Sequence, residues 1–224
     1  GDCLNVGCVP SKALIAAARH MHALADAKAF GILDAEAKVD FARVHEHVHA
    51  VIAGIAPHDS VERFEGLGVT VLSDTARFVD PETVEVGGRR VRARRFVIAT
   101  GSAPAIPPIP GLADVPFLTN ESVFDLARLP ERLAIVGGGP IGAELGQAFR
   151  RLGASVTLLE MGRVLSREDP ALAAIVKRRL EAEGVEIREG VRVAGIARAE
   201  TGGLGLSLEA NDGTTGRIEA SDIL

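Results

Sequence analysis

The sequence predicts an α/β protein in which a parallel strand–helix–strand unit accompanies a small antiparallel β-meander. One observation is the period of the apolar residues, which changes from helical over residues 10–67 to alternating over residues 68–95. A second is the continuous apolar run that leads into a glycine-rich turn and a helical pattern at residues 133–152. Strands that alternate with helices of this length are typical of parallel sheets.

Two long helices are predicted in the first third of the chain. The first runs from Pro10 to about Lys28, because its apolar residues recur at helical spacing and a first turn tolerates proline. The second runs from Phe41 to about Leu67. Pro57 lies within it and must kink or interrupt it, because proline removes a helical hydrogen bond.

Short strands follow the helices. Four of them form the meander, at residues 69–72, 76–79, 83–86 and 90–93. Turn residues separate them, at Asp80-Pro81 and Gly87-Gly88. A further buried strand is expected at Arg95–Ala99, running into Thr100 and Gly101. Residues 102–116 are rich in proline and indicate an extended linker.

The second half of the chain has the pattern of a βαβ unit. Its predicted elements are strand Leu133–Val136, turn Gly137–Gly142, helix Ala143–Leu152, strand Ser155–Leu159, helix Pro170–Glu183 and strand Val185–Arg188. Gly153 and Gly184 end the two helices. The crossover helix carries one apolar face, formed by Leu172, Ile175, Val176 and Leu180. Short strands are expected from Val191 onward, and the last four residues begin another strand.

Composition excludes several classes of protein. The 224 residues carry a formal net charge of −5, with arginines scattered along the chain, which argues against nucleic acid as the main partner. No apolar run reaches the roughly 18 residues that a membrane span needs. No signal peptide is visible, and one thiol pair is typical of a cytoplasmic protein. Because the sequence begins without methionine and ends inside a strand pattern, we expect an internal piece of a longer protein.

The only two cysteines, Cys3 and Cys8, are separated by four residues. A disulfide between them would close a very small loop and would constrain the unfolded chain little, so it suits redox switching better than stabilisation. The following helix N-terminus and Lys12 are expected to lower a thiolate pKa here. The alternative is that both cysteines are small buried apolar residues.

The turn Gly137–Gly142 fits the pattern G-x-G-x-x-G and stands between an apolar strand and a helix. Gly137 permits a tight turn, Gly139 lets a pyrophosphate approach the backbone, and Gly142 lets the helix and strand pack closely. Pro140 and Ile141 fill the variable positions at the helix N-terminus, which favours anions. A dinucleotide-binding Rossmann-type domain is therefore predicted.

Glu160 ends the second strand, 21 residues after Gly139. A carboxylate at this place accepts hydrogen bonds from ribose hydroxyls and repels a 2′-phosphate, which favours NAD over NADP. Two observations leave alternatives open. Glu160 could be a solvated strand-end carboxylate, and Arg163 could fold back to a 2′-phosphate.

Taken together, Cys3-Leu-Asn-Val-Gly-Cys8-Val-Pro-Ser-Lys12 and the downstream glycine turn closely resemble the class I pyridine nucleotide-disulfide oxidoreductases, which include dihydrolipoamide dehydrogenase, glutathione reductase and mercuric reductase. The resemblance spans nearly the whole chain. It implies FAD/NAD(P)-binding Rossmann-type domains, with residues 1–125 as part of the FAD-binding domain and 126–224 as an NAD(P)-binding domain truncated at its C-terminal end. It also implies that Cys3 is the interchange thiol and Cys8 the flavin-proximal thiol.

The resemblance further implies an ion pair between Lys12 and Glu144 near the flavin. We expect Glu144 to be a buried carboxylate that requires this partner, the alternative being an exposed helical glutamate. Thr100 and Gly101 match the strand end where the family's backbone approaches FAD. Pro140 stands where several members carry a tyrosine that covers the flavin, so such gating is not expected here.

The implied activity moves electrons between NAD(P)H, FAD and the dithiol, and on to a disulfide or dithiol substrate, small or protein-bound, or to Hg(II). Mercuric reductase-like members are the nearest match, with dihydrolipoamide dehydrogenase as the alternative, whereas Glu160 disfavours glutathione reductase. The full-length protein is expected to be a homodimer, with the FAD pyrophosphate loop upstream and an acid–base His–Glu pair downstream. This piece alone is therefore not expected to turn over.

Two alternative hypotheses place the protein in a different functional class, as a non-catalytic nucleotide-sensing module or as a structural scaffold. Neither explains the thiol pair. No metal site is predicted either. His45 and His49 share a helix face but lack further ligands at suitable spacing, which indicates a solvated surface.

Overall fold

The computed structural model describes residues 1–32, 37–200 and 202–224. Its first part is helical, with α1 at Asp2–Asn5, α2 at Cys8–Asp26, α3 at Phe41–Ile55 and α4 at Val61–Gly66. A 3₁₀ turn that contains Pro57 separates α3 from α4, so the predicted break is confirmed. Asp40 and Ser60 cap α3 and α4, because each side chain accepts a backbone N–H three residues on.

Three of the four predicted meander strands are present, as β1 (Ala76–Asp80), β2 (Thr83–Val86) and β3 (Arg89–Arg92). They pair antiparallel in that order. The prediction of a strand at residues 69–72 is wrong. Val69 instead donates its N–H to the carbonyl of Phe64 at 3.0 Å and closes the end of α4, after Gly68 turns the chain with a φ of +85°.

The buried strand predicted at Arg95–Ala99 is also wrong. Val97 is 91% exposed and Ile98 73% exposed, and no strand is assigned to the segment. A strand is stabilised by hydrogen bonds to a neighbouring strand, and within the described residues no strand pairs with this segment. An apolar run therefore does not become a strand without a partner. Residues 102–111 lack regular secondary structure, as expected for the linker.

The second half contains a parallel sheet with the predicted βαβ connections. Its elements are β4 (Arg132–Val136), α5 (Pro140–Leu152), β5 (Ser155–Glu160), α6 (Pro170–Ala182) and β6 (Glu186–Glu189). An antiparallel sheet follows, formed by β7 (Val191–Arg198), β8 (Leu204–Ala210) and β9 (Thr215–Ala220). The chain then returns to the parallel sheet as β10 (Asp222–Ile223), which pairs with β4. The strand predicted at the end of the sequence is thus confirmed. The strand order in the parallel sheet is β10-β4-β5-β6. Strand β4 therefore lies between β5, which follows it along the chain, and β10, the last strand.

One continuous core joins the helices of the first part to the parallel sheet. Phe149 of α5 is fully buried and stacks on Phe41 of α3, with ring centroids 6.0 Å apart. Ala18 of α2 and Ala148 of α5 belong to the same core and are almost fully buried. Helix α2 thereby packs against α5, the helix that follows the glycine turn.

The apolar face predicted for α6 is only partly buried. Leu180 is buried, but Leu172 and Ile175 are 62% and 55% exposed. Ala173 and Leu180 take the inward positions, so the helix is rotated relative to the expected face. Among the residues that the structure describes, no helix has the length and apolar character to span a membrane.

Candidate active site

Helices α1 and α2 bring the two cysteines together. Cys3 lies in α1 and Cys8 is the first residue of α2, and both are exposed free thiols. Gly7 stands between the helices. A Cβ at Gly7 would lie 2.9 Å from the carbonyl oxygen of Asp2 and 3.1 Å from the Cα of Cys3, so only glycine permits this close approach. Sequence reasoning missed Gly7, although its place inside the cysteine motif was a signal.

The pKa of Cys8 corrects one expectation. A hydrogen bond with Cys3 and the negative charge of a Cys3 thiolate raise the pKa of Cys8 above its ordinary value, and a slight loss of hydration adds to this increase. Lys12 lowers the pKa as expected, but its effect is smaller. The prediction of a lowered pKa is therefore wrong for Cys8, because two neighbouring cysteines resist carrying two negative charges.

The substitution Cys3→Ser is expected to lower the pKa of Cys8, since it removes the largest causes of the increase. Alkylation of Cys8 by iodoacetamide, measured against pH, would reach half its maximal rate at a lower pH than Cys8 alkylation in the unaltered reduced protein. The variant Ser11→Ala retains both thiols and serves as control. An unchanged or higher midpoint in Cys3→Ser would show that Cys3 does not govern the ionisation of Cys8.

Asp2 connects the cysteine segment to the Thr100-Gly101 turn. Its carboxylate accepts the backbone N–H of Ser102 at 3.1 Å. Gly101 has a φ of +72°, and a Cβ there would lie 2.4 Å from Asp2 Oδ2. The structure therefore brings Thr100 and Gly101, both exposed, next to the cysteine segment. Asp2 has no signal in the sequence, because its partner is 100 residues away.

Lys12 and Glu144 form an ion pair between α2 and α5. Lys12 Nζ donates to Glu144 Oε1 at 2.9 Å and to Oε2 at 2.7 Å. The two side chains are 59% and 47% exposed, so the expectation that Glu144 is buried is wrong. Glu144 points from α5 toward Lys12 of α2, whereas its neighbours Ala143 and Leu145 are buried.

The glycine turn has the geometry that its three spaced glycines predict. Gly137 has a φ of +117°, in the region that favours glycine. A Cβ on Gly142 would lie 2.2 Å from the carbonyl oxygen of Gly137, so α5 and the turn pack too closely for any side chain. A Cβ on Gly139 would meet nothing within 4 Å. Gly139 therefore faces open space at the N-terminus of α5, where the backbone of a glycine leaves room for a ligand phosphate.

Glu160 holds this turn from the end of β5. Its Oε2 accepts the N–H of Gly138 at 2.7 Å, and its Oε1 accepts the N–H of Gly162 at 2.8 Å. Each carboxylate oxygen can accept a second hydrogen bond, so ribose hydroxyls remain possible donors. A cavity of about 480 Å³ adjoins Gly139, Pro140 and Glu160.

Arg163 does not line that cavity. It lies near Glu189. Burial raises the pKa of Glu189, but hydrogen bonds from Lys177 and the Val164 N–H, with the charges of Lys177 and Arg163, lower it overall. Arg167 is the arginine that lines the cavity.

A second cavity, of about 290 Å³, lies on the other side of the turn. Ile141 and Gly142 form one wall, the linker around Ile106 another, and the end of β10 a third. Because β10 and β5 flank β4 on opposite sides, this cavity lies where parallel α/β sheets bind ligands. Its apolar lining suits a flat ring better than a phosphate.

The two histidines of α3 lie together, with ring centroids of His45 and His49 4.2 Å apart. Within residues 1–32, 37–200 and 202–224, no three His, Cys, Asp or Glu side chains are grouped as a metal site. His49 instead hydrogen-bonds the carbonyl oxygen of Phe124 at 3.2 Å.

Comparison with known families decides the assignment. The family model "Pyridine nucleotide-disulphide oxidoreductase" matches residues 1–224, the entire chain. The chain belongs to this family. The resemblance seen in the cysteine motif and the glycine turn is thereby confirmed, as is the α/β fold with FAD/NAD(P)-binding domains.

Individual relatives of this pyridine nucleotide-disulphide oxidoreductase include a mercuric reductase and a dihydrolipoyl dehydrogenase. Mercuric reductase of Streptomyces lividans is 36% identical over 230 residues, which cover 100% of this chain and 48% of the relative. Dihydrolipoyl dehydrogenase of Thermus scotoductus is 38% identical over 228 residues, covering 95% of the chain and 46% of the relative. The chain therefore spans about half the length of these relatives.

A solved structure has the same fold. The Cu(II) complex of the HOCl-induced flavoprotein disulfide reductase RclA from Escherichia coli aligns with a TM-score of 0.76 and 25% identity. The alignment covers 100% of this chain and 47% of that one. The architecture described above is thus that of a flavoprotein disulfide reductase.

Membership of the family implies FAD and NAD(P) as cofactors, and the residues present fit both. For the dinucleotide, the open space at Gly139 is the space that a pyrophosphate requires. For the flavin, the exposed Cys8 thiol at the N-terminus of α2 is accessible to a ring that exchanges electrons with it. The ammonium of Lys12 nearby suits the negative charge that this ring gains on reduction.

Proposed function

We propose that this chain is the redox-disulfide and nucleotide-binding portion of an FAD-dependent NAD(P)H oxidoreductase that acts on a disulfide, a dithiol or Hg(II). Residues 1–125 belong to its FAD-binding domain and residues 126–224 form its NAD(P)-binding domain. The observation that supports this most directly is the Lys12–Glu144 ion pair. It connects the helix that begins at Cys8 with the helix that begins at the glycine turn. Electron transfer between the nicotinamide and the dithiol requires these two parts of the site to lie close together.

Bound FAD would supply two-electron transfer between the nicotinamide and the cysteine pair. Lys12, Thr100 and Gly101 would contact it, with Cys8 on the flavin side. The Lys12 ammonium would favour negative charge on the ring, and Glu144 would hold that ammonium in place. Gly137, Gly139 and Gly142, with Pro140 and Ile141 at the start of α5, would bind the dinucleotide pyrophosphate.

Cys3 would carry out the exchange with substrate. Its thiolate attacks one sulfur of a substrate disulfide, a mixed disulfide forms, and the first substrate thiol leaves with a proton. The Cys8 thiolate then attacks Cys3, releases the second substrate thiol and closes the Cys3–Cys8 disulfide. Two substrate thiols are produced for each dithiol oxidised. With Hg(II) as substrate, the same two thiolates would bind a soft cation.

Within this proposal NAD is favoured over NADP. Glu160 and Glu168 both line the cavity at Gly139, against one arginine, Arg167, and Arg163 lies away from that cavity. We further propose a cytoplasmic homodimer for the full-length protein, as the resemblance to the family implies. Mercuric reductase-like activity is the first candidate, because several similar relatives carry that name. Dihydrolipoamide dehydrogenase activity is the second, on the similarity to the Thermus enzyme.

The test is anaerobic reduction of the full-length protein by NADH or NADPH, followed by Hg(II), dihydrolipoamide with NAD, or a small disulfide. We expect flavin absorbance to be bleached at least about tenfold faster at equal low concentrations of NADH than of NADPH. One of the three acceptors should support turnover. A protein that binds NADH but never reduces a flavin or any acceptor would instead be a nucleotide-sensing module.

A further inference from the structure

Glu183 is a nearly buried carboxylate for which the proposed chemistry has no use. It follows the last residue of α6, and its side chain is only 6% exposed. Arg151 Nε donates to its Oε2 at 2.6 Å and Arg151 Nη2 to its Oε1 at 2.7 Å. Arg179 Nε donates to Oε1 at 2.6 Å, and Gln147 Nε2 donates to the same oxygen at 3.0 Å.

These contacts join three helices at one carboxylate. Gln147 and Arg151 come from α5, and Arg179 from α6. His22 of α2 completes the group, because its Nε2 lies 3.9 Å from Glu183 Oε1 and is in contact with the Arg179 guanidinium. His22 is also paired with Asp26 at 3.2 Å. Two arginines balance the carboxylates, which is the condition for keeping a charge in a buried place.

We propose that Glu183 is a positioning residue that sets the register of the cysteine helix α2 on α5. Helix α2 contacts α5 through the exposed Lys12–Glu144 pair near its N-terminus. His22 comes ten residues later, about 15 Å along the helix axis at 1.5 Å per residue. Two polar attachments separated by that distance define the position of α2 along α5. The side chains of Ala18 and Ala148, which lie between the attachments, are too small to define that position alone.

The attachment near the N-terminus is too weak to set this register alone. An ion pair as exposed as Lys12–Glu144 contributes little by itself, because water screens it and both side chains are long. Glu183 itself is shielded from solvent, and its bidentate contact with Arg151 fixes its carboxylate on α5. His22 of α2 therefore meets a carboxylate that is held in place. Glu183 therefore acts on the reaction through Lys12 and Cys8. The last step of this inference, from register to reaction, rests on the proposed function.

The experiment measures the coupling between Lys12 and Glu144 in the full-length protein. Lys12→Met, Glu144→Gln and the double variant are compared by urea unfolding, in the unaltered background and in Glu183→Gln. We expect a coupling of about threefold in the unfolding equilibrium constant in the unaltered background, and none in Glu183→Gln. Glu181→Gln is the matched control, since Glu181 lies two residues earlier, in α6, and its carboxylate pairs with Lys177 at 3.9 Å. It should leave the coupling intact.

Glu183→Gln could fail to fold, and Arg179→Gln then takes its place, because Arg179 is 53% exposed and contacts both Glu183 and His22. It should reduce the coupling, whereas Glu183→Asp should restore part of it. A lower stability with the Lys12–Glu144 coupling unchanged would overturn the proposal, since Glu183 would then stabilise the fold without positioning α2. Because this readout requires no nucleotide, no substrate and no turnover, its failure is distinguishable from a failure of the proposed function.

Discussion

Gly142→Ala is expected to lower the free energy of unfolding by about 3 kcal/mol, whereas Gly139→Ala is expected to change it by less than about 1 kcal/mol. At Gly142 the added methyl would lie 2.2 Å from the carbonyl oxygen of Gly137, and backbone cannot rotate away as a side chain can. At Gly139 the methyl would meet no atom within 4 Å, and the backbone is in an extended conformation that alanine adopts.

The same pair of variants should behave in the opposite way toward the dinucleotide. Gly139→Ala is expected to weaken NAD(H) binding by at least about tenfold, which corresponds to about 1.4 kcal/mol, because the methyl occupies the space in front of the turn. Chemical denaturation gives the stability of each variant, and titration calorimetry gives the affinity of the folded ones. Gly216→Ala, another open position, is the control for a glycine far from the turn. Unaltered affinity in Gly139→Ala would mean that the phosphates bind elsewhere.

Cys3→Ser and Cys8→Ser are each expected to abolish disulfide reduction by the full-length protein, with a loss of about 1,000-fold or more, because neither half of the exchange proceeds with one thiol. The two variants should differ in their spectra. Cys3→Ser retains the thiol proposed to lie against the flavin, and its thiolate should give a long-wavelength absorbance band with the oxidised ring. Cys8→Ser should lack that band.

The measurement is the absorbance spectrum of each anaerobic variant, together with steady-state turnover of a small disulfide. Each cysteine variant is the control for the other, since each removes one sulfur from the same cysteine segment. A band that persists in Cys8→Ser and disappears in Cys3→Ser would reverse the two roles. Turnover that survives in both would remove the dithiol from the mechanism altogether.

The features that sequence could predict are the ones determined by neighbours along the chain. The turn at Gly137–Gly142 and the interruption at Pro57 depend on local backbone geometry, so their residue types are sufficient. The Lys12–Glu144 contact is different, because its partners are 132 residues apart. It was expected only through the resemblance to a family, and no spacing rule would have found it.

The features that sequence could not predict depend on partners distant in the chain. Arg95–Ala99 has the composition of a strand, but pairing decides whether a strand forms. Leu172 and Ile175 have the spacing of an inward face, but α6 is rotated about its axis so that Ala173 and Leu180 are buried instead. Asp2 and Glu183 are ordinary acidic residues in the sequence. Their partners, Ser102 and Arg151, are brought to them only by the fold.

The carboxylate of Glu160 has a consequence for how a nucleotide would associate. Because it already restrains the amides of Gly138 and Gly162, the phosphate-facing backbone acquires its shape when the protein folds. The turn then loses little conformational entropy when a nucleotide binds, because its backbone is already ordered in the free protein. Recognition at this place should accordingly be rapid, with selectivity expressed mainly in how long the ligand stays.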